Sequence, residues 1–191
     1  SNKLDHIDMV DPVAAKICSS DIGHKTEIGG VQLSITSLRE LTAAIASIIT
    51  SVERNAPDAK LDGILIESMI NNAILELMVN LRRDSQFGFV LTVASGGVMT
   101  EIYKDASTVL VPTDDISLMA ALESLHIAPL FNGFRGGPAA SRTAVLDQIK
   151  CLVSLMESTP DIIEIEINPM MVSTDYACCA DALISISGTA A

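Results

Sequence analysis

Val31-Gln32-Leu33-Ser34-Ile35 alternates apolar and polar residues with a period of two, the spacing of a strand with one buried face. An amphipathic helix follows. Ser37 and Glu40 have capping-box spacing, and Leu41, Ile45, Ile48, Ile49 and Val52 fall on one helical face before Pro57 and Asp58 end the pattern. Upstream, Val13-Ala14-Ala15-Lys16-Ile17 is a short apolar run with one lysine in it. Between Gly63 and Ala94 the pattern predicts three strands, Ile64 to Met69, Leu75 to Leu81 and Val90 to Ala94, as an antiparallel meander broken at Asn71-Asn72 and at Asp84 to Gly88. Strands are expected again over Val98 to Tyr103 and Thr108 to Val111, then a helix from Asp114 to Leu125. A Gly-rich loop, Asn132 to Ala140, leads to a second amphipathic helix carrying Val145, Ile149, Leu152, Val153 and Met156. The chain closes with Ile163 to Ile167 and Cys178 to Ile186, two strands joined through Asn168-Pro169. This order lacks strict strand–helix alternation and predicts an α+β arrangement of mixed or antiparallel sheets flanked by helices.

The 191 residues are 49% apolar, enough for a sizeable core. With 12 Lys and Arg against 24 Asp and Glu, the formal charge of −12 repels polyanions, and six aromatics without a Trp offer few stacking platforms. Nucleic acid is therefore not an expected partner, and any phosphate ligand must be held by a local cluster of cations and backbone amides. Cys18, Cys151, Cys178 and Cys179 form no Cys-x-x-Cys pair, which points to buried thiols in a reducing cytoplasm. No run approaches the ~20 apolar residues of a membrane span, and no signal-peptide pattern opens the chain, so a soluble intracellular protein is expected.

Three groups of residues could carry chemistry. Lys16 on a strand facing a cleft could neutralise phosphate, and the segment His24-Lys25-Thr26-Glu27-Ile28-Gly29-Gly30-Val31 ends in a glycine pair that would let backbone amides approach a ligand. Read alone, Lys16 is better taken as a snorkelling edge residue and His24 as an ordinary loop histidine. The second group is Glu76, Arg82, Arg83, Asp84, Ser95-Gly96-Gly97, Glu101, Lys104 and Asp105. Glu76, Met78 and Asn80 share one face of a strand, and Arg82, Arg83 and Lys104 beside a Gly-rich turn would supply positive field for a triphosphate. The third is Glu164-Ile165-Glu166-Ile167-Asn168-Pro169, with Asp181 thirteen residues after Asn168. Alternation puts Glu164, Glu166 and Asn168 on one side, oxygen donors suited to magnesium, and a hairpin could bring Asp181 alongside Asn168.

These stretches in this order resemble the ATP-grasp portion of the NDP-forming acyl-CoA synthetases. The resemblance runs from about Pro12 to Ile186 and rests on a Lys-Ile strand, His-Lys-x-Glu-x-Gly-Gly-Val, Glu-Leu-x-Val, Arg-Asp-x-x-Phe-Gly, Gly-Gly, Glu-x-x-Lys-Asp, Gly-x-Arg-Gly and Glu-x-Glu-x-Asn-Pro. It implies an ATP-grasp fold truncated at its N-terminus, divided into a partial N-terminal subdomain over 1–62 and a C-terminal subdomain over 63–191. It also implies ATP or ADP and Mg²⁺ as ligands, and a CoA-binding synthetase domain or subunit as partner within an oligomeric enzyme.

By this resemblance Lys16 contacts nucleotide phosphates, Glu67, Ser68, Met69 and Ile70 form the hinge that receives adenine, and Glu76, Arg82, Gly96 and Gly97 line the nucleotide. Asn168, Asp181 and Glu101 would hold the metal. His24 would be a transient phosphoryl acceptor, with Glu166 near the transferring group and Arg135 gripping phosphoryl or a partner surface. The chain departs from the family pattern at Ser68, where an acidic residue is usual, at Asn80 and at Phe89. Those departures motivate an alternative, a degenerate non-catalytic ATP-grasp module of an acyltransferase or regulatory protein. An ATP-grasp carboxylate ligase making amide bonds is a third reading, opposed by the His-Lys-x-x-x-Gly-Gly segment.

Overall fold

A computed structural model describes residues 11–97 and 104–188. Within it the chain divides between Asn71 and Asn72 into two units, each with its own core.

The first unit is a three-stranded antiparallel sheet with one helix. β1 (Val13–Cys18) lies between β2 (Val31–Ile35) and β3 (Gly63–Ser68). Alternation along β1 sends Val13, Ala15 and Ile17 to one face, where they pack with Leu41, Ala44, Ile48 and Val52 of α1 (Leu38–Asn55). Lys16 belongs to the opposite face. The helix starts as its cap predicts: Ser37 Oγ accepts the Glu40 amide at 3.2 Å, while the Glu40 carboxylate reaches back to the Thr36 amide and hydroxyl, each at 2.8 Å. The buried stripe is rotated from the expected one, with Ala44 facing the core and Ile49 turned outward, 37% exposed.

Two expectations change here. β3 is not the first strand of a meander; it pairs with β1 over its whole length, from Val13↔Ser68 to Cys18↔Gly63. The division accordingly falls at 71/72 and not at 62/63, because β3 belongs by hydrogen bonding to the first sheet.

The second unit is a six-stranded sheet in the order β6-β5-β4-β7-β8, with β9 also on β7. β4 (Leu75–Asp84), β5 (Gly88–Ser95) and β6 (Ala106–Val111) form an antiparallel meander. Leu75, Leu77, Val79 and Leu81 of β4, with Leu91 and Val93 of β5, face α2 (Asp115–Glu123) and α3 (Arg142–Ser158), whose Leu118, Leu122, Val145, Ile149 and Met156 complete the core. Asp114 caps α2 and Ser141 caps α3. The loop between them contains two short 3₁₀ turns, Ala128–Asn132 and Phe134–Gly136.

β7 (Ile162–Val172) does not stop at Asn168-Pro169 as expected. Leu77 pairs with Met170 and Val79 with Ile167, so Asn168 and Pro169 together oppose Met78 in a bulge. A proline has no amide to give a ladder, and a bulge is where a central strand tolerates it. The expected strand from Cys178 to Ile186 is instead two, β8 (Ala177–Cys179) and β9 (Ala182–Ile186), broken at Ala180-Asp181 opposite that bulge. The expected strand over Val98 to Tyr103 lies outside the described residues.

Candidate functional site

In the first unit, Lys16 stands mid-strand on the face opposite α1. Its Nζ lies 2.8 Å from Glu67 Oε2 on β3, with the lysine side chain 13% exposed and the glutamate 41%. Ser68 ends β3, and the Met69 amide donates to the Pro12 carbonyl at 2.9 Å, so the segment from Glu67 to Ile70 leaves the sheet tied to β1's entry.

His24 is exposed in the loop between β1 and β2, two residues after Ile22, which is buried in the first core. The glycine pair behind it works differently from the expectation. The Gly29 and Gly30 amides donate to Thr26 and Lys25 carbonyls at 3.1 and 2.8 Å, so both are consumed in closing the loop and do not await a ligand. Gly29 has φ +73, and a Cβ on Gly30 would lie 2.7 Å from Ile17 Cδ1. The glycines serve the turn that presents His24.

In the second unit, Glu76, Met78, Asn80 and Arg82 share the face of β4 turned away from the helices, and register places Asn80 beside Glu166 and Arg82 beside Glu164. Asn80 Nδ2 donates to Glu164 Oε1 at 2.8 Å. Several of the expected site residues gather at the bulge. The Gly97 amide donates to Asn168 Oδ1 at 3.3 Å, the Asn168 amide donates to the Asp181 carbonyl at 3.2 Å, and a Cβ on Gly97 would meet the Glu76 carboxylate. The Asp181 backbone therefore lies alongside Asn168, with Glu166 two residues before Asn168 on β7. Asp181 Oδ1 also accepts the Ala182 amide at 3.0 Å.

Other expected neighbours are not brought together. Ser95 pairs with Leu77 whereas Val90 pairs with Arg82, so Arg82 lies five residues, roughly 17 Å, along the strand from the Gly96-Gly97 turn. Arg82 is 3.6 Å from Asp84. Arg83 projects to the other face, donating to the Met156 and Ile162 carbonyls and stacking on Phe89, where it satisfies the end of α3. Arg135 lines an open groove of about 690 Å³ with Glu123, His126, Phe134 and Arg142, a different part of the unit from Asn168. Glu101 lies outside the described residues.

Asp105, which the pattern offers only as one charge in a run, is buried and accepts from Ser95 and His126. Burial pushes its carboxyl up, but the Ser95 hydroxyl, the His126 amide and ring and the Ile127 amide outweigh this and hold it below the ordinary range. The one available signal was its position at the foot of a strand, where a carboxylate collects backbone amides.

Among the described residues no three His, Cys, Asp or Glu side chains form a metal cage. The side-chain oxygens of Asn168 and Asp181 are nevertheless hard donors of the kind magnesium takes, and it needs few protein ligands because waters and substrate phosphates fill its shell.

A family model described as an ATP-grasp domain matches residues 6–186. The chain is 30% identical over 161 residues to acetate–CoA ligase (ADP-forming) I of Archaeoglobus fulgidus, covering 84% of this chain and 23% of that protein. It is 33% identical over 171 residues to the beta subunit of acetate–CoA ligase (ADP-forming) I of Pyrococcus furiosus, covering 90% of this chain and 73% of that subunit. The chain thus spans about a quarter of its single-chain relative and three quarters of the separate subunit. The fold matches the acetyl-coenzyme A synthetase 1 of Ca. Korarchaeum cryptofilum in complex with coenzyme A, Ca-AMPCP and HgCl+, with a TM-score of 0.85, 29% identity and coverage of 93% and 77%. A complex of the same synthetase with coenzyme A and Mg-AMPPCP, its phosphohistidine segment pointing towards the nucleotide binding site, matches with a TM-score of 0.74, 26% identity and coverage of 92% and 76%. With a family match across nearly its whole length, the chain belongs to the ATP-grasp domain family, among the domains of ADP-forming acyl-CoA synthetases.

Proposed function

We propose that this chain is the nucleotide-binding, phosphoryl-transferring part of an NDP-forming acyl-CoA synthetase, which converts acyl-CoA, ADP and phosphate into carboxylic acid, ATP and CoA. The observation that carries the reading is the β7–β9 register that sets Asp181 beside Asn168 while Gly97 caps the Asn168 oxygen. Asn168 and Asp181 would hold the metal, whose chemistry is to screen phosphate charge, with Glu166 near the transferring group. Lys16 exchanges its contact with Glu67 for phosphate oxygens, and the Glu67 to Ile70 segment borders the base.

His24 is the proposed carrier. The lone-pair nitrogen of its neutral imidazole forms an N–P bond as the carboxylate of an acyl phosphate leaves; attack by a β-phosphate oxygen of ADP then breaks that bond and restores the lone pair. Exposure of His24 in a loop rooted by buried Ile22 suits a group that must meet a phosphoryl donor and an acceptor in turn. The phosphohistidine segment named for the Korarchaeum relative supports this role. The partner is a CoA-binding domain or subunit, since one relative carries a much longer chain and another is a beta subunit. The four cysteines are free thiols, Cys151 and Cys178 exposed and none buried, contrary to expectation, which suits a reducing cytoplasm. No helix among the described residues is long and apolar enough to cross a membrane.

A second reading, a nucleotide-sensing module without catalysis, is favoured by Ser68 in the hinge and by the distance of Arg82 from the glycine turn. Titration calorimetry with Mg-ADP and Mg-ATP, together with incubation with magnesium and ATP labelled in its γ-phosphate, separates the two. The synthetase reading expects binding and an acid-labile label that disappears in His24→Ala. Binding without any label supports the sensing module, and absence of binding refutes both.

A further inference from the structure

Asp105 is the only buried charged side chain among the described residues. Its position does not require a charge for packing alone, and burying one is costly unless every lone pair is used. Here the carboxylate is well supplied. Ser95 Oγ donates to Oδ2 at 2.5 Å, the His126 amide donates to both oxygens at 2.9 Å, and His126 Nδ1 lies 3.3 Å from Oδ1. The Ser95 amide adds a bond to the Asp105 carbonyl at 3.0 Å. One residue thus ties the end of β5, the foot of β6 and the turn after α2.

From Ser95 the chain passes directly to the glycine turn, and little slack separates them. The Gly96 amide donates to the Glu76 carbonyl at 2.8 Å, and a Cβ on Gly96 would lie 2.6 Å from the Leu77 carbonyl carbon, so its backbone is pressed against β4. Gly97, at φ +78, then donates to Asn168 Oδ1. A side-chain amide oxygen has two lone pairs. Occupying one from a fixed direction decides which end of the Asn168 amide faces the site and where the second lone pair points.

We propose that Asp105 is a positioning residue for the metal–nucleotide site: by fixing Ser95 it holds the Gly96-Gly97 turn so that the Gly97 amide orients the Asn168 oxygen towards the cation. The inference rests on the reading of Asn168 as a metal ligand. Groups that orient a metal ligand typically affect metal affinity by about 10–100-fold when removed. The effect should be specific to the metal, because Asp105 has no direct part in holding base or ribose.

The experiment measures Mg²⁺ affinity at fixed ADP, and ADP affinity without metal, for the chain and for Asp105→Ala, Asp105→Asn, Asn168→Ala and the Asp105→Ala/Asn168→Ala pair. Asp105→Ala should weaken Mg²⁺ binding about tenfold or more and leave metal-free ADP binding unchanged. Asp105→Asn, which keeps an acceptor for His126 and a polar group for Ser95, should recover most of the loss. In the Asn168→Ala background the Asp105→Ala loss should vanish. Equal losses with and without metal, or a loss that persists without Asn168, overturn the proposal. Should Asp105→Ala fail to fold, Ser95→Ala removes the hydroxyl bond alone and should show a smaller loss of the same kind; an unchanged Mg²⁺ affinity refutes the proposal. If the unmodified chain binds no Mg-ADP, the proposed function fails; hydrogen exchange then tests the positioning itself. Faster exchange at Gly97 in Ser95→Ala, with the β4 amides unchanged, upholds it, and unchanged Gly97 exchange overturns it.

Discussion

Lys16 Nζ and Glu67 Oε2 meet at 2.8 Å on neighbouring strands, with the lysine much the more buried of the two. The ammonium is already engaged by a carboxylate, so an incoming phosphate must compete with Glu67. Lys16→Met should weaken ADP and ATP binding by about tenfold, the scale of one charge-assisted hydrogen bond. Glu67→Gln should tighten both by a smaller factor, and calorimetry on the two variants reads the difference. Tightening in Lys16→Met would contradict the assigned role.

The first helix offers a stability test away from any ligand. Ser37→Ala removes the acceptor of the Glu40 amide and should cost about 1 kcal/mol in urea unfolding, without changing nucleotide affinity. A cost near zero would mean that Thr36 and Glu40 suffice to start α1.

Much of this geometry is readable along the chain, and the failures share a cause. α1 announces itself through a helical period and a local cap, both contained in about twenty residues. The polar faces of β4 and β7 likewise follow from alternation alone. What local pattern cannot report is pairing. β3 looks like its successors β4 and β5 but bonds to β1, nearly fifty residues earlier, and that choice moves the boundary between the units. Arg82 and Arg83 are adjacent in sequence beside a glycine turn only on paper, because antiparallel register carries Gly96-Gly97 to the far end of the strand. Asn168-Pro169 reads as a stop, and only the opposing Met78 shows it to be a bulge that keeps Asn168 inside the sheet. The return of the Asp181 backbone beside Asn168 is readable, because their spacing suits a tight return.

Acid should unfold the second unit through specific carboxylates. Asp105, Asp114 and Asp84 all lie below the ordinary carboxyl range, Asp105 through the balance described above, Asp114 through the Ser117 amide and Asp84 through the Gln86 and Phe87 amides. A depressed folded-state value means that each contributes stability above the unfolded-state range near 3.8, lost as pH falls through the lowered one. Stability should therefore be flat near neutrality and decline below about pH 4. Asp105→Asn should make this decline shallower, as read by urea midpoints across pH; an unchanged slope would place the acid sensitivity elsewhere.

Two glycines on the same sheet should respond differently to alanine. Gly88 has φ +77 with open space around its Cβ position, so Gly88→Ala meets only the left-handed backbone penalty of about 1–2 kcal/mol. Gly96 would drive a Cβ into the backbone of β4, 2.6 Å from Leu77 and 2.8 Å from Glu76, where no flexible side chain can yield. Gly96→Ala should cost about 3 kcal/mol or more and also weaken Mg-ADP binding by displacing Gly97. Thermal melts and titrations separate the effects, and equal costs at both sites would show that β4 gives way.

Arg135 combines backbone strain with exposure. It occupies the left-handed region at φ 52, ψ 37 between Gly133 and Gly136, stacks on Phe134 at 5.2 Å, and faces the groove bounded by Glu123, His126 and Arg142. Arg142 has the contrasting structural role nearby, donating to the Phe131 carbonyl at 2.7 Å and the Asn132 side chain at 2.9 Å, so it holds the turn in which Arg135 is displayed. A non-glycine residue held in this conformation costs about 1–2 kcal/mol, so a purely architectural position would be better filled by glycine. Arg135→Gly should raise stability by up to about 1 kcal/mol, the strain relief being partly offset by the greater freedom of an unfolded glycine. If the guanidinium grips phosphoryl or a partner, the same variant should lower acyl-CoA-dependent ATP formation while leaving Mg-ADP affinity unchanged. Gain of stability with full activity would reduce Arg135 to an accident of the turn, and loss of Mg-ADP affinity would move it into the nucleotide site.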